Sequence, residues 1–262
     1  MNKVLLFQCV TLISVIILSI FELPGNGQPV HSQTLISSRK IRYIPAEVQK
    51  KPGEPRGRRR GGGSRGPCKE YETLTALVPI NNTDIKDAVW GKSASPNPKF
   101  WFFVPEKLTA KVLVEFVIQD EADDYIYQTK FNPPETQSGI ISLLVQPQEP
   151  LVAGQSYRWT FSIYCDAEKS SASVYVQGSM MQVVLNPTLQ EQLEAAKTPL
   201  ERAAFFAQNG IWYDALTTLG QQIQLSKRKD PEITSAWNEL LQQVKLDSLA
   251  SAPIIPCCTS QH

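Results

Sequence analysis

Histidine is nearly absent from this chain. Of 262 residues two are histidines, His31 and His262, and neither falls in an expected helix or strand. A Ser-His-Asp or Cys-His nucleophilic site and a histidine-ligated zinc centre are therefore disfavoured. A phosphate-cradling loop is missing too. Gly61-Gly62-Gly63 follows a run of charges rather than joining a strand to a helix, so it lacks the geometry that turns backbone N–H groups toward a phosphate. No cofactor is implied. Net charge is also small, at +1.

That small net charge conceals an asymmetry. Residues 39–66 carry ten Lys or Arg against Glu47 and Glu54, whereas residues 67–262 carry 15 basic and 22 acidic residues. A basic arm precedes an acidic globule. Its densest part runs from Arg56 through Arg58, Arg59 and Arg60 to Arg65. Arginines in such a run attract polyanions by counterion release and clamp phosphate or carboxylate bidentately. No aromatic residue is interleaved, which argues against stacking on single-stranded bases. Nucleic acid is a poor partner for an exported protein. The expected partners are an unidentified protein, an anionic envelope polymer, a membrane surface or the chain's own acidic part. The plainer reading is a flexible, solubilising tether.

Val4–Phe21 is almost wholly apolar and follows Lys3. It is long for a signal-peptide core and short for a spanning helix. The expectation is a cleaved signal and an exported protein, periplasmic or extracellular. The alternative is an anchor retained through residues 4–21, with the globule in the cytoplasm. The cysteines bear on this choice. In an oxidising compartment Cys68 and Cys165 are expected to pair, closing a loop of about 97 residues worth up to ~4 kcal/mol. Otherwise Cys165 is a buried small hydrophobe and Cys68 a bystander. Cys257 and Cys258 are adjacent, too close for a relaxed disulfide, and the tail offers too few ligands for a metal.

From Leu151 to Cys165 the sequence reads Leu-x-x-Gly-x-x-Tyr and then Trp159, Phe161, Ile163 and Cys165 at strict alternation. This is a corner followed by a half-buried strand, and Tyr157 is the candidate for a tyrosine corner. Strands are expected over 72–78, 99–104, 111–119, 124–131, 139–145, 155–165 and 172–184. About seven strands with short connections suit an immunoglobulin-like β-sandwich. After Asn186-Pro187 the apolar period becomes helical, with helices expected over 188–197, 199–209, 211–226 and 231–246. The stretch from Ala203 to Leu216 resembles the centre of a tetratricopeptide repeat, but there is no second copy, and one repeat cannot bury its own face. A helical hairpin or bundle packed on the sandwich is the expectation. The chain thus divides into a leader or anchor (1–32), a disordered basic linker (33–67), a β-sandwich (68–185), a helical unit (186–248) and a flexible tail (249–262).

The run ending Ser64-Arg65-Gly66-Pro67-Cys68, then Leu74–Pro79, Phe100–Pro105, Phe116–Glu121, Gly154–Trp159 and Cys165-Asp166 together resemble the cyanobacterial domain-of-unknown-function family DUF 928. The resemblance covers most of residues 56–247 and implies an exported protein of cyanobacterial type. It carries no activity with it.

Carboxylates are the remaining chemistry. Asp120, Glu121, Asp123 and Asp124 crowd one expected turn. Oxygen ligands at a sharp turn hold calcium, yet the spacing is not that of an EF-hand and hairpin turns favour Asp for backbone reasons, so a solvated turn is expected. A sandwich glycosidase would need facing carboxylates and exposed aromatics such as Trp90 or Trp101 to stack sugars. Three readings follow. The first is an exported, non-catalytic binding or structural module with a basic arm for anionic partners. The second is a membrane-anchored cytoplasmic adapter docking through the helical hairpin. The third is a carbohydrate-active sandwich enzyme.

Overall fold

In a computed structural model the described residues are 40–47, 57–61, 68–81, 88–166, 172–226 and 230–258. The chain divides into two compact units, 1–37 and 38–262, and every described residue lies in the second. The apolar leader segment falls outside the described residues. Among those that are described, no helix is long and apolar enough to cross a membrane.

Among the described residues two sheets precede four helices. A 3-10 turn at Lys69–Tyr71 opens the globule, followed by β1 (Thr75–Ala76), β2 (Ile80–Asn81), β3 (Ala88–Ser93), β4 (Lys99–Val104) and β5 (Leu113–Gln119). Then come β6 (Tyr125–Phe131), β7 (Gly139–Leu144), β8 (Ser156–Tyr164) and β9 (Ser173–Gln182). One sheet has three strands in the order β1-β4-β7, and the other has six, in the order β2-β3-β9-β8-β5-β6. All pairings are antiparallel except β3 with β9.

β4 shows why the small sheet exists. Its sequence, KFWFFV, is apolar on both faces. Phe100 and Phe102 face the large sheet, with Phe100 4.9 Å from Phe116 and Phe102 stacked at 4.2 Å on Phe161. Trp101 points the other way, edge-on to Trp237 of a helix at 5.9 Å. The three-stranded sheet is therefore a middle layer, covered by the large sheet on one side and by helices on the other. A strand covered on both faces reads as an unbroken apolar run.

The helices are α1 (Pro187–Ala195), α2 (Pro199–Gln208), α3 (Trp212–Leu225) and α4 (Pro231–Gln243). Each of α1, α2 and α4 starts with proline near its first turn, behind a capping Asn186, Thr198 or Asp230. Proline suits that position because the missing N–H has no intrahelical partner there. Thr198 and Glu201 close a reciprocal capping box. Gly210, at φ +69°, ends α2, and Ile211 N–H bonds back to the Phe206 carbonyl at 2.9 Å. A single apolar cluster runs through both sheets and α2 to α4.

Several elements depart from the sequence reading. The strand expected at 72–78 shortens to β1, because the 3-10 turn occupies the residues before it. β2 and β3 were not expected. In β3, Gly91 looks like a strand breaker, but a Cβ there would stand 3.1 Å from both Trp212 and Tyr213. The glycine admits α3 to the sheet.

Two stretches of the expected free linker are docked. In the first, Ile41 and Tyr43 are buried, Ile44 N–H bonds the Ala207 carbonyl at 3.0 Å, and Tyr43 meets Trp212 edge-on at 5.0 Å. The second is 57–61. The tail also departs from a flexible end: Ile140 N–H bonds the Pro253 carbonyl at 2.8 Å and Ile255 N–H bonds the Ile140 carbonyl at 2.7 Å, laying 253–255 along the edge of β7.

Candidate functional site

Residues 57–61 form a short extended piece wedged between the two sheets. Arg58 exchanges both backbone hydrogen bonds with Gln177 of β9, at 2.6 and 2.8 Å. On the other side Ala76 N–H bonds the Arg59 carbonyl at 2.8 Å and Gly61 N–H bonds the Leu74 carbonyl at 2.7 Å. Gly57 enters this wedge at φ +80°, where a Cβ would lie 2.9 Å from Val89 Cβ. Only glycine combines that dihedral with that approach.

Extended geometry sends successive side chains opposite ways, so the three arginines part. The Arg58 guanidinium sits 4.7 Å over the Tyr175 ring on the outer face of the large sheet, a favourable cation–π arrangement. Arg59 turns inward and donates from Nη1 to the Val244 carbonyl at 2.8 Å. Burial, and then the charge of Arg60, pull the Arg59 guanidinium below its usual range. Its Nε is buried without a partner among the described residues. Arg60 pairs with Thr75 along the backbone, and its exposed side chain borders a cavity of about 430 Å³. Arg56 and Arg65 lie outside the described residues.

That cavity was not foreseen. Arg60, Glu72, Thr73, Thr75 and Phe103 meet Ser248 there. The docked arm, β1, β4 and the turn after α4 each supply part of it. These positions span residues 60–248, and no spacing in the sequence links them. The one available signal was Phe103, which pairs with Thr75 across the ladder and cannot face the sandwich interior if Phe102 does.

The carboxylates of the acidic turn are used by the turn itself and by a neighbouring strand. Asp120 Oδ1 is engaged by the backbone N–H groups of Ala122 and Asp124, at 2.9 and 3.0 Å. Asp123, at φ +70°, sends its carboxylate to Arg158. Asp120 thus serves the turn backbone and Asp123 an ion pair. Among the described residues no three His, Cys, Asp or Glu side chains stand together as metal ligands. Trp90 and Trp101 are not sugar platforms either, being 4 % and 1 % exposed. Trp101 instead donates from its indole nitrogen to Thr217 at 3.0 Å.

Cys68 and Cys165 are joined, with Cα atoms 5.4 Å apart, within the span a disulfide requires. Cys257 and Cys258, too close for a relaxed disulfide, are joined as well. A buried carboxyl passed unnoticed in the sequence is Asp214, in the first turn of α3. It accepts from Ala94 N–H at 3.0 Å and is lifted to about 6, by burial against the opposing pull of Ala94, Ser93 and Ser95.

A family model described as Domain of Unknown Function (DUF928) matches residues 60–254. No curated protein matches the chain, and no solved structure does. The matched span takes in both sheets, the four helices of the described residues and the start of the tail piece bonded to β7. It begins at Arg60, inside the wedged segment, and the chain belongs to this DUF928 family.

Proposed function

We propose that this chain is an exported, non-catalytic binding module on an immunoglobulin-like sandwich, and that its docked arginine segment takes an anionic envelope polymer. The observation that carries the reading is the pinning of 57–61 between two sheets, which holds Arg58 and Arg60 exposed on a fixed backbone. Cations already ordered before contact lose less entropy on binding. Guanidinium groups match carboxylate and sulfate oxygens bidentately.

Two further observations support parts of the reading. The Cys68–Cys165 bond suits an oxidising compartment, in keeping with a leader at residues 4–21. Val152 N–H donates to the Tyr157 hydroxyl at 2.8 Å. This bond from a hydroxyl at the start of a late strand to backbone a few residues upstream is what a tyrosine corner would make, and it supports the immunoglobulin-like reading.

The test is equilibrium binding of the full chain, unreduced, to fluorescent polygalacturonate, dextran sulfate and neutral dextran over a salt series. The expected result is binding to both polyanions that weakens steeply with salt, no binding to dextran, and a loss of about tenfold or more in the double variant Arg58→Gln, Arg60→Gln. Equal binding by that variant, or no polyanion binding at low salt, overturns the proposal.

A further inference from the structure

The cavity beside Arg60 combines features that a bare polyanion contact does not need. Among the described residues its charged groups are one guanidinium, Arg60, and one carboxylate, Glu72. Thr73, Thr75 and Ser248 add hydroxyls, and Phe103 adds a half-buried aromatic side chain. Thr75 Oγ1 already donates to the Thr73 carbonyl at 2.8 Å, so toward a ligand that oxygen accepts. At about 430 Å³ the space lies near the lower end of the ~300–1,000 Å³ typical of small-molecule sites.

We infer that this cavity is a subsite for a single hexuronate residue, the carboxylated sugar of an acidic polysaccharide. The inference rests on the proposed function and names the unit that is read. Arg60 clamps the sugar carboxylate through its planar fork. The apolar face of the pyranose ring lies on Phe103. Glu72 and the Thr75 oxygen accept from ring hydroxyls, and Thr73 and Ser248 complete the polar rim. Glu72 is what selects the class. Inside the cavity that carboxylate disfavours a unit bearing several sulfate or phosphate groups and pairs well with a hydroxyl-rich one of single charge, while a sulfated chain still meets Arg58 and Arg60 from outside. Arg59 adds to the preference: it is half-buried next to Arg60, and a bound carboxylate offsets the mutual repulsion of these two cations.

The test uses the full unreduced chain with sodium D-glucuronate, D-glucose and sodium acetate, by saturation-transfer NMR and titration calorimetry. Polygalacturonate is measured in parallel. Glucuronate is expected to bind at about millimolar strength, with saturation strongest on the ring protons over Phe103. Glucose and acetate should each bind at least about tenfold more weakly. Arg60→Gln and Phe103→Leu each weaken glucuronate about tenfold, while Lys111→Gln, an exposed cation outside the cavity, leaves it unchanged. Circular dichroism shows whether Phe103→Leu has folded, and Arg60→Gln, at an exposed side chain, decides the matter if it has not.

Polymer binding without glucuronate binding overturns the subsite and leaves the proposed function standing. Acetate binding as well as glucuronate also overturns it, because charge alone then suffices. Glucuronate binding without polymer binding supports the subsite and overturns the polymer reading. Binding of neither overturns both.

Discussion

Trp159 of β8 donates its indole N–H to the Tyr213 hydroxyl at the head of α3, 2.8 Å away, and that hydroxyl reaches on to the Ser179 carbonyl at 3.4 Å. All the groups are buried. Removing the hydroxyl in Tyr213→Phe leaves the Trp159 N–H unpaired inside the protein. The expected cost is about 1–3 kcal/mol, read as a lower denaturant midpoint at unchanged slope. A loss below a few tenths of a kcal/mol would mean that water replaces the hydroxyl.

Gly220 of α3 lies under Trp101, and a Cβ there would stand 2.5 Å from Trp101 Cη2. Trp101 has little room to yield, held between Trp237 and its bond to Thr217. Gly220→Ala therefore overpacks the layer between sheet and helices, at about 1–3 kcal/mol, despite alanine's better helix propensity. Thermal unfolding of this variant beside Gly220→Ser measures it; a stabilised Gly220→Ala would show that α3 shifts freely on the sheet.

The Cys68–Cys165 bond ties the entry of the globule to the end of β8, across a sequence separation of 97. Replacing both by alanine is expected to cost about 2–4 kcal/mol, largely through a less constrained unfolded chain. Unfolding with and without reductant checks this. If the wild type loses no stability on reduction while the far-UV signal stays native, the bond adds nothing to the fold.

Asp214 makes stability depend on pH. Its carboxyl is raised from the ordinary 3.8 to about 6 by burial. The folded state thus binds the proton more tightly than the unfolded one. The contribution is complete below pH 3.8 and is lost as pH rises through about 6. Asp214→Asn keeps an oxygen for Ala94 N–H and removes the titration. Relative to wild type the variant is expected to gain roughly 1–3 kcal/mol between pH 4 and pH 7. A constant difference across that range would place the titration elsewhere.

How legible this was depended on where each residue found its partner. β4 was readable to its ends, since Lys99–Val104 is apolar on both faces and bounded by Pro98 and Pro105. β8 was readable from its alternation, and the starts of α2 and α4 from Pro199 and Pro231 at the onset of a helical apolar period. β3 was hidden because Gly91 serves α3, more than a hundred residues away in sequence. The docking of 57–61 was hidden because its bonds are to backbone groups of β9 and the β1 region, which leave no mark on the arginines themselves. For the same reason the arginine run was visible as charge, but its division between an outer face, the interior and a cavity was not.

The placement of 40–47 against the helices and of 57–61 between the sheets has a mechanical meaning. Any tension applied through the N-terminal end meets two clasps in series: the Ile44–Ala207 hydrogen bond with buried Ile41 and Tyr43, and then a segment bonded to a sheet on each side. Bonds flanking an extended segment share a pull along its axis and rupture together rather than one by one. A chain held at that end would load α2 first, through Ile44, and only once that clasp opened would force pass through 57–61 into both sheets at once.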